Sequence, residues 1–372
     1  MQFKDVIGLE KQKQQLIKDV QNERISHAQL FLGKMGFGGL PLSLAFVQYI
    51  FCKHRTEIDS CGACPSCNKV SALQHPDLHF SFPTVQAITP TSDPQFSLWK
   101  ESVLKNPYFN LNNWIEKSDD KGRNPIISKH QSQEIIKKLS LKSFEGGYKV
   151  SILWVADVMN STCANKLLKI IEEPPSKTLF ILLVENQATL MPTILSRTQL
   201  LKVSQLSDHN LTEWLKSQGV TSTDVMESIV SRAEGDINQA IEMLNASSEN
   251  NENREDFIQL MRVCYKKDVV PMLDWAVKMA EKGREQQKNF LNYGLFMIRQ
   301  SMMKNYTDSQ LVRASSEEKE FLEKFARFIS GNNVLPFHQL FNDAHYSVVR
   351  NANAKLLFTN ITFEVMRYIH RA

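Results

Sequence analysis

The chain has 372 residues, 44 basic against 40 acidic, for a formal net charge of +4, with 42% hydrophobic and 23% charged side chains. Such a chain reads as a soluble globular protein of two or three domains, long enough to bury large cores without disulfides. The mild basic excess permits nucleic-acid contact without arguing for it, no apolar run reaches the ~18 residues of a membrane span, and the opening MQFKDVIGLEKQKQQL looks like neither a secretory signal nor a transit peptide, so the cytoplasm is the expected location, with no membrane partner.

Residues 8–24 carry Leu9, Leu16 and Val20 on a charged background, which predicts an amphipathic helix ending near Asn22. The run 28–32, closed by Gly33, reads as a buried strand. A glycine-rich turn over 33–39 follows, then LSLAFVQYIF at 42–51, apolar enough for a buried helix. Residues 52–79 hold four cysteines and two histidines. Residues 84–128 are polar with scattered aromatics and no period, and are expected to be a surface insertion. A helix is expected at about 131–140, strands at 149–155, 178–184 and 200–203, and a helix at 160–172 that stops at Pro174-Pro175. Apolar strands alternating with helices imply a mostly parallel sheet covered on both faces, an α/β domain. Beyond residue 206 helical periods dominate. Residues 207–245 read as three short helices, 247–253 as a polar linker, and 254–372 as a helical domain with Phe296 and Phe363 in its core.

The cysteines are Cys52, Cys61, Cys64, Cys67, Cys163 and Cys264. Four of them fall in the pattern Cys52-x8-Cys61-x2-Cys64-x2-Cys67, with Gly62 and Pro65 suited to tight turns. Four thiolates at this spacing close a tetrahedral structural zinc site and leave no open position for catalysis. An iron–sulfur run of the ferredoxin type needs a further cysteine before proline, and position 71 is serine. Unliganded thiols are the remaining alternative. His75 and His79 lie close by as substitute ligands, with packing or surface roles favoured. Cys163 and Cys264 read as small buried side chains.

A phosphate loop reads G-x-x-x-x-G-K-[ST] between a strand and a helix. Here Gly33 and Gly38 frame such a loop, or on their own an ordinary glycine turn unrelated to phosphate, and Gly39 stands at the lysine position and Leu40 at the hydroxyl position. Charge neutralisation of the β- and γ-phosphates and magnesium ligation are both lost. Pro41 removes a further backbone donor, and Lys34 is misplaced in the loop. Hydrolysis also needs an acidic pair at the end of a second strand. Trp154 and Val155 stand there, and Asp157, slightly beyond, reads as a helix cap.

FKDVIGLEKQKQQLIKDVQNERISHAQLFLG, the cysteine spacing, and ANKLLKIIEEPPSKTLFILLVENQATLMPTILSRTQ together resemble bacterial DNA polymerase III clamp-loader subunits of the AAA+ class. The resemblance covers roughly residues 3–245. It is strongest to the delta-prime branch, which keeps the fold and the arginine finger and often lacks working ATP chemistry. The finger motif, Ser-Arg-Cys in most relatives, is here Ser196-Arg197-Thr198. The resemblance implies that Arg197 reaches into a neighbour's ATP site, where a guanidinium stabilises charge developing on the γ-phosphate. It also implies an arginine at position 238 in ATP-using relatives, and this chain has Asn238.

The expectation is an AAA+ P-loop-like domain over 1–205 with a zinc module (52–67) and the insertion (84–128), a helical lid over 206–246, and a helical collar over 254–372. The implied function is that of a non-hydrolysing scaffold and finger donor in loading the sliding clamp onto primed DNA. The implied partners are gamma/tau-type ATPases, a delta-type subunit, the clamp and DNA. The cofactor is structural zinc, and ATP binding without hydrolysis is left open. The alternatives are an active gamma/tau-type ATPase and a stand-alone zinc-containing DNA-binding protein.

Overall fold

The computed structural model describes residues 1–119, 121, 123–245, 247–307, 312, 314 and 316–371. The chain forms two compact units. One comprises Met1–Trp214 with Glu234–Gln239, the other Leu215–Ala233 with Ala240–Ala372.

In chain order the elements begin with α1 (Glu10–Gln21), β1 (Ala28–Leu32), α2 (Gly39–Phe51), α3 (Pro65–Ser71) and β2 (Leu78–Ser81). Next come α4 (Phe96–Lys105), α5 (Leu111–Ser118), α6 (Lys129–Ser140), β3 (Lys149–Leu153), α7 (Ser161–Glu172) and β4 (Thr178–Val184). Then follow α8 (Pro192–Leu195), β5 (Gln199–Lys202) and α9 (Asp208–Ser217). The five strands form one parallel sheet in the order β2-β3-β4-β1-β5. In register, Leu30 of β1 faces Leu182 of β4 on one side and Leu200 of β5 on the other. β4 sits at the centre, and all seven of its residues are buried, as a strand covered on both faces requires. β5 is an edge, so Leu201 is buried while Leu200 is half exposed.

One face of the sheet packs Leu30, Phe180 and Leu182 against Ile135 and Leu139 of α6 and Leu167 and Ile171 of α7. α2 is buried all the way from Gly39 to Tyr49, which its apolar circumference demands. α7 starts on Asn160, whose side chain accepts the Cys163 N–H at 2.8 Å, and it ends before Pro174-Pro175. Asp157 is therefore not the cap that the sequence suggests. It sits in a short 3-10 turn after β3.

Two further expectations change. The edge strand β2 has no counterpart in the sequence reading, because LHFS is too short to show a period. Residues 84–128, expected as a surface insertion without a period, contain ordered and buried structure. They supply α4 and α5, with Trp99 and Trp114 fully buried and Phe109 nearly so. The Phe82 ring stacks on Trp99 at 4.9 Å and meets Trp114 edge-on at 5.2 Å. The Trp114 indole N–H donates to the Pro83 carbonyl at 2.8 Å. The aromatics at 82, 96, 99, 109 and 114 meet in space without sharing any sequence period, so no amphipathic pattern announces them.

The remaining helices are α10 (Thr223–Ala233), α11 (Ile237–Asn245), α12 (Ser247–Lys266), α13 (Val269–Glu281), α14 (Arg284–Tyr306), α15 (Ser316–Phe325), α16 (Val334–Val349) and α17 (Ala354–Ile369). The second unit's core joins Phe257, Leu260, Met272, Trp275, Phe290, Phe341, Phe358 and Ile361, with Phe296 and Phe363 packed at its margin. Residues 247–253, expected as a linker, are the first turns of α12. Helix continues there because Asn253, Asp256, Phe257 and Leu260 already present an inward face at helical spacing. No described helix is long and apolar enough to cross a membrane.

Candidate functional site

The four-cysteine cluster is assembled from two helix ends and the loop between them. Cys52 closes α2, Cys64 precedes α3, Cys67 lies in its first turn, and Cys61 comes from the loop. Gly62 allows the loop its left-handed turn at φ +70°, and a side chain there would run into Gln2. The four Sγ atoms all lie within 4.8 Å of one another. A tetrahedral zinc with Zn–S bonds of about 2.3 Å needs sulfurs ~3.8 Å apart, and Cys61 and Cys67 are 3.9 Å apart. The donor set therefore fits zinc. Backbone N–H groups of Ala63 and Cys64 pull the Cys61 thiol down to about 6, whereas burial pushes Cys52 and Cys67 up. Neither histidine joins the cluster. His75 is buried and stacked on Phe51 at 4.1 Å, and His79 lies in β2, where burial pushes it down to about 4.

The glycine loop runs from β1 into α2, the strand–loop–helix setting of a phosphate loop. Gly33 donates to the Val184 carbonyl at 3.0 Å, and a Cβ there would overlap the Val203 carbonyl. Gly38 has φ +99° and precedes the first turn of α2. At Gly39, by contrast, a Cβ would only touch Leu183 at 3.9 Å, an ordinary contact, and the backbone is not left-handed. Lys34 is exposed and places its ammonium 5.8 Å from the centre of the Phe37 ring.

The strand-end positions are apolar and buried. β3 stops at Leu153, so Trp154 and Val155 lie just past it, both essentially inaccessible to solvent. Trp154 stacks on Phe109 at 4.5 Å and meets Trp99 edge-on at 6.2 Å. Asp157 is partly buried, with Oδ1 lacking a hydrogen-bond partner, and burial raises its pKa to about 6. Asn238 is buried at the start of α11. Its Oδ1 accepts from Asn106 and its Nδ2 donates to Asn113, both at 2.9 Å.

Arg197 is exposed on the turn between α8 and β5. Its guanidinium donates to the Thr193 carbonyl at 2.9 Å and to Ser196 Oγ at 3.1 Å, and it pairs with Glu172 at the end of α7. Ser196 Oγ in turn donates to the Thr193 carbonyl at 3.1 Å. The structure thus keeps Arg197 and Ser196 together and leaves the arginine at the surface.

A sequence model of the family described as "DNA polymerase III, delta subunit" matches residues 8–207. The chain is similar to the DNA polymerase III subunit delta' of Bacillus subtilis (strain 168), 27% identical over 252 residues, which span 68% of this chain and 64% of that one. It is 24% identical over 300 residues to the delta' subunit of Escherichia coli (strain K12), spanning 80% and 76% of the two chains. A tau/gamma subunit from Haemophilus influenzae is 24% identical over 247 residues, spanning 65% of this chain and 30% of that one. With the match to its sequence model covering more than half of the 372 residues, and with delta' subunits among its relatives, the chain belongs to the DNA polymerase III delta subunit family, on its delta-prime side.

Proposed function

We propose that this chain is the delta-prime-type subunit of a clamp loader, a scaffold that does not hydrolyse ATP itself and that donates Arg197 to a neighbouring subunit's ATP site. The carrying observation is the contrast between the two ends of the chemistry. The chain's own loop offers Gly39 and Leu40 in place of lysine and hydroxyl, with Trp154 and Val155 in place of an acidic pair. Arg197, however, is exposed and held by surface contacts to Glu172, Thr193 and Ser196. A guanidinium so placed can exchange Glu172 for a phosphate at little cost, because an exposed ion pair is worth only about 0–1 kcal/mol. In a neighbour's site it would stabilise charge on the transferring phosphoryl group, and Ser196 would position it.

The lid over 206–246 and collar over 254–372 are functional divisions in this reading. The collar would gather the gamma/tau-type ATPases and a delta-type subunit around the clamp and primed DNA. Cys52, Cys61, Cys64 and Cys67 would hold a structural zinc, whose chemistry is to cross-link the end of α2 to the start of α3.

The test is reconstitution of the loader with Arg197→Ala. The complex is expected to assemble normally while its ATPase rate falls roughly 10³-fold or more at the affected site, on the scale of other arginine fingers. An assembled complex with an unchanged rate would show that Arg197 is not a finger.

A further inference from the structure

The residues that replace ATP chemistry in the first unit share one neighbour. Residues 106–113, from the insertion at 84–128, touch every one of the altered regions. Phe109 stacks on Trp154 at the end of β3. Asn106 and Asn113 take the two ends of the Asn238 amide. Tyr108 is buried against the glycine loop, where a Cβ on Gly38 would meet its ring at 3.1 Å. Its hydroxyl accepts the Ile7 N–H at 3.0 Å, so the segment before α1 is held as well. The Tyr108 turn is itself braced, since its N–H donates to Asn106 Oδ1 at 2.9 Å. Asn110 and Asn113 cap α5 reciprocally, each accepting the other's N–H.

The phosphate cradle is filled in the same way. Asp236 is buried and caps α11 by accepting the Gln239 N–H at 3.1 Å. Its carboxylate lies so close over Gly36 that any Cβ there would overlap it. Glu185 accepts the Met35 N–H at 2.9 Å, so one of the loop amides that a phosphate would use is already taken. Two carboxylates on the loop repel a polyanion, whereas a working loop offers it a lysine.

We propose that residues 106–113 and Asp236 are a built-in plug of this chain's own nucleotide site. The plug ties the glycine loop, the end of β3 and the start of α11 into one body that needs no nucleotide. It rests on reading the loop as a former phosphate site and deepens the non-hydrolysing assignment. In an active relative, nucleotide would have to bridge these same elements. Here side chains do so in its place.

Hydrogen exchange on the full chain tests the plug, with and without millimolar MgATP, alongside Tyr108→Phe and Asn238→Ala. The expected result is that MgATP leaves exchange in residues 33–39 unchanged. Tyr108→Phe, which keeps the ring, should speed exchange of the Ile7 amide roughly tenfold by removing its acceptor. Asn238→Ala should speed exchange at 106–113 and 236–239 together. Protection of 33–39 by MgATP, or a change confined to 236–239 in Asn238→Ala, overturns the plug. ATP turnover measured on the same samples separates the two readings. Nucleotide protection without turnover removes the plug alone, whereas turnover by the purified chain removes the non-hydrolysing assignment as well.

Discussion

Asp157 illustrates what single residues contribute beyond their sequence context. Its carboxylate lies just past β3 with one oxygen unpartnered, and burial holds its pKa near 6 against an ordinary 3.8. The folded chain therefore binds this proton more tightly than the unfolded one. Its contribution to stability is most favourable below about pH 4 and declines as pH rises through about 6. Asp157→Asn removes the ionisation. It is expected to raise stability at pH 7.5 by about 1–2 kcal/mol, after discounting for the part of the group that reaches water, and to leave it nearly unchanged at pH 4. Urea unfolding at the two pH values measures this, and equal differences at both would contradict it. The identity of the residue was plain in the sequence, but its role was not. An aspartate before a helix reads as a cap, and only the backbone path shows that Asn160 takes that place.

Between elements, the cysteine module is where spacing was most informative. The pattern of four cysteines anticipates a cluster because short gaps can only return sulfurs to one point, and the four Sγ atoms do converge. Zinc there would tie α2 to α3. The purified chain is expected to carry one equivalent of zinc. Cys67→Ser should lose the metal and lower Tm by roughly 5 °C or more, a kcal/mol being worth about 2–4 °C in a unit of this size. Cys163→Ser should keep the metal, since Cys163 is buried against the sheet. Metal analysis decides it, and freshly purified protein without zinc would refute the assignment. The insertion was the opposite case. Its tryptophans and phenylalanines are visible in the sequence, but they meet Phe82 and Trp154 from distant elements. No local period can encode such a meeting.

At the scale of the whole molecule, the charge balance bears on what the chain does alone. A net charge of +4 over 372 residues is only a weak overall basic excess. The isolated chain is therefore expected to bind primed DNA only non-specifically, with Kd on the order of 10⁻⁶–10⁻⁴ M at physiological salt. Fluorescence anisotropy checks this, and nanomolar binding without partners would favour the stand-alone DNA-binding alternative. The parallel α/β sheet, the run of C-terminal helices, the cysteine cluster and the placement of the glycine loop were all legible in the sequence. Each is set by local pattern: buried apolar runs, helical period, cysteine spacing, and glycines where side chains would collide. The edge strand β2, the continuation of α12 through 247–253, and the aromatic core of 84–128 were decided only by tertiary structure, because each depends on neighbours remote in the chain. The glycine loop shows the division most clearly. The sequence by itself determined that Gly39 and Leu40 cannot supply phosphate charge or a magnesium ligand, since side-chain chemistry is fixed by residue type. Only the fold brings Tyr108, Asp236 and Glu185 onto that loop, because they arrive from three separate segments remote from it in the chain.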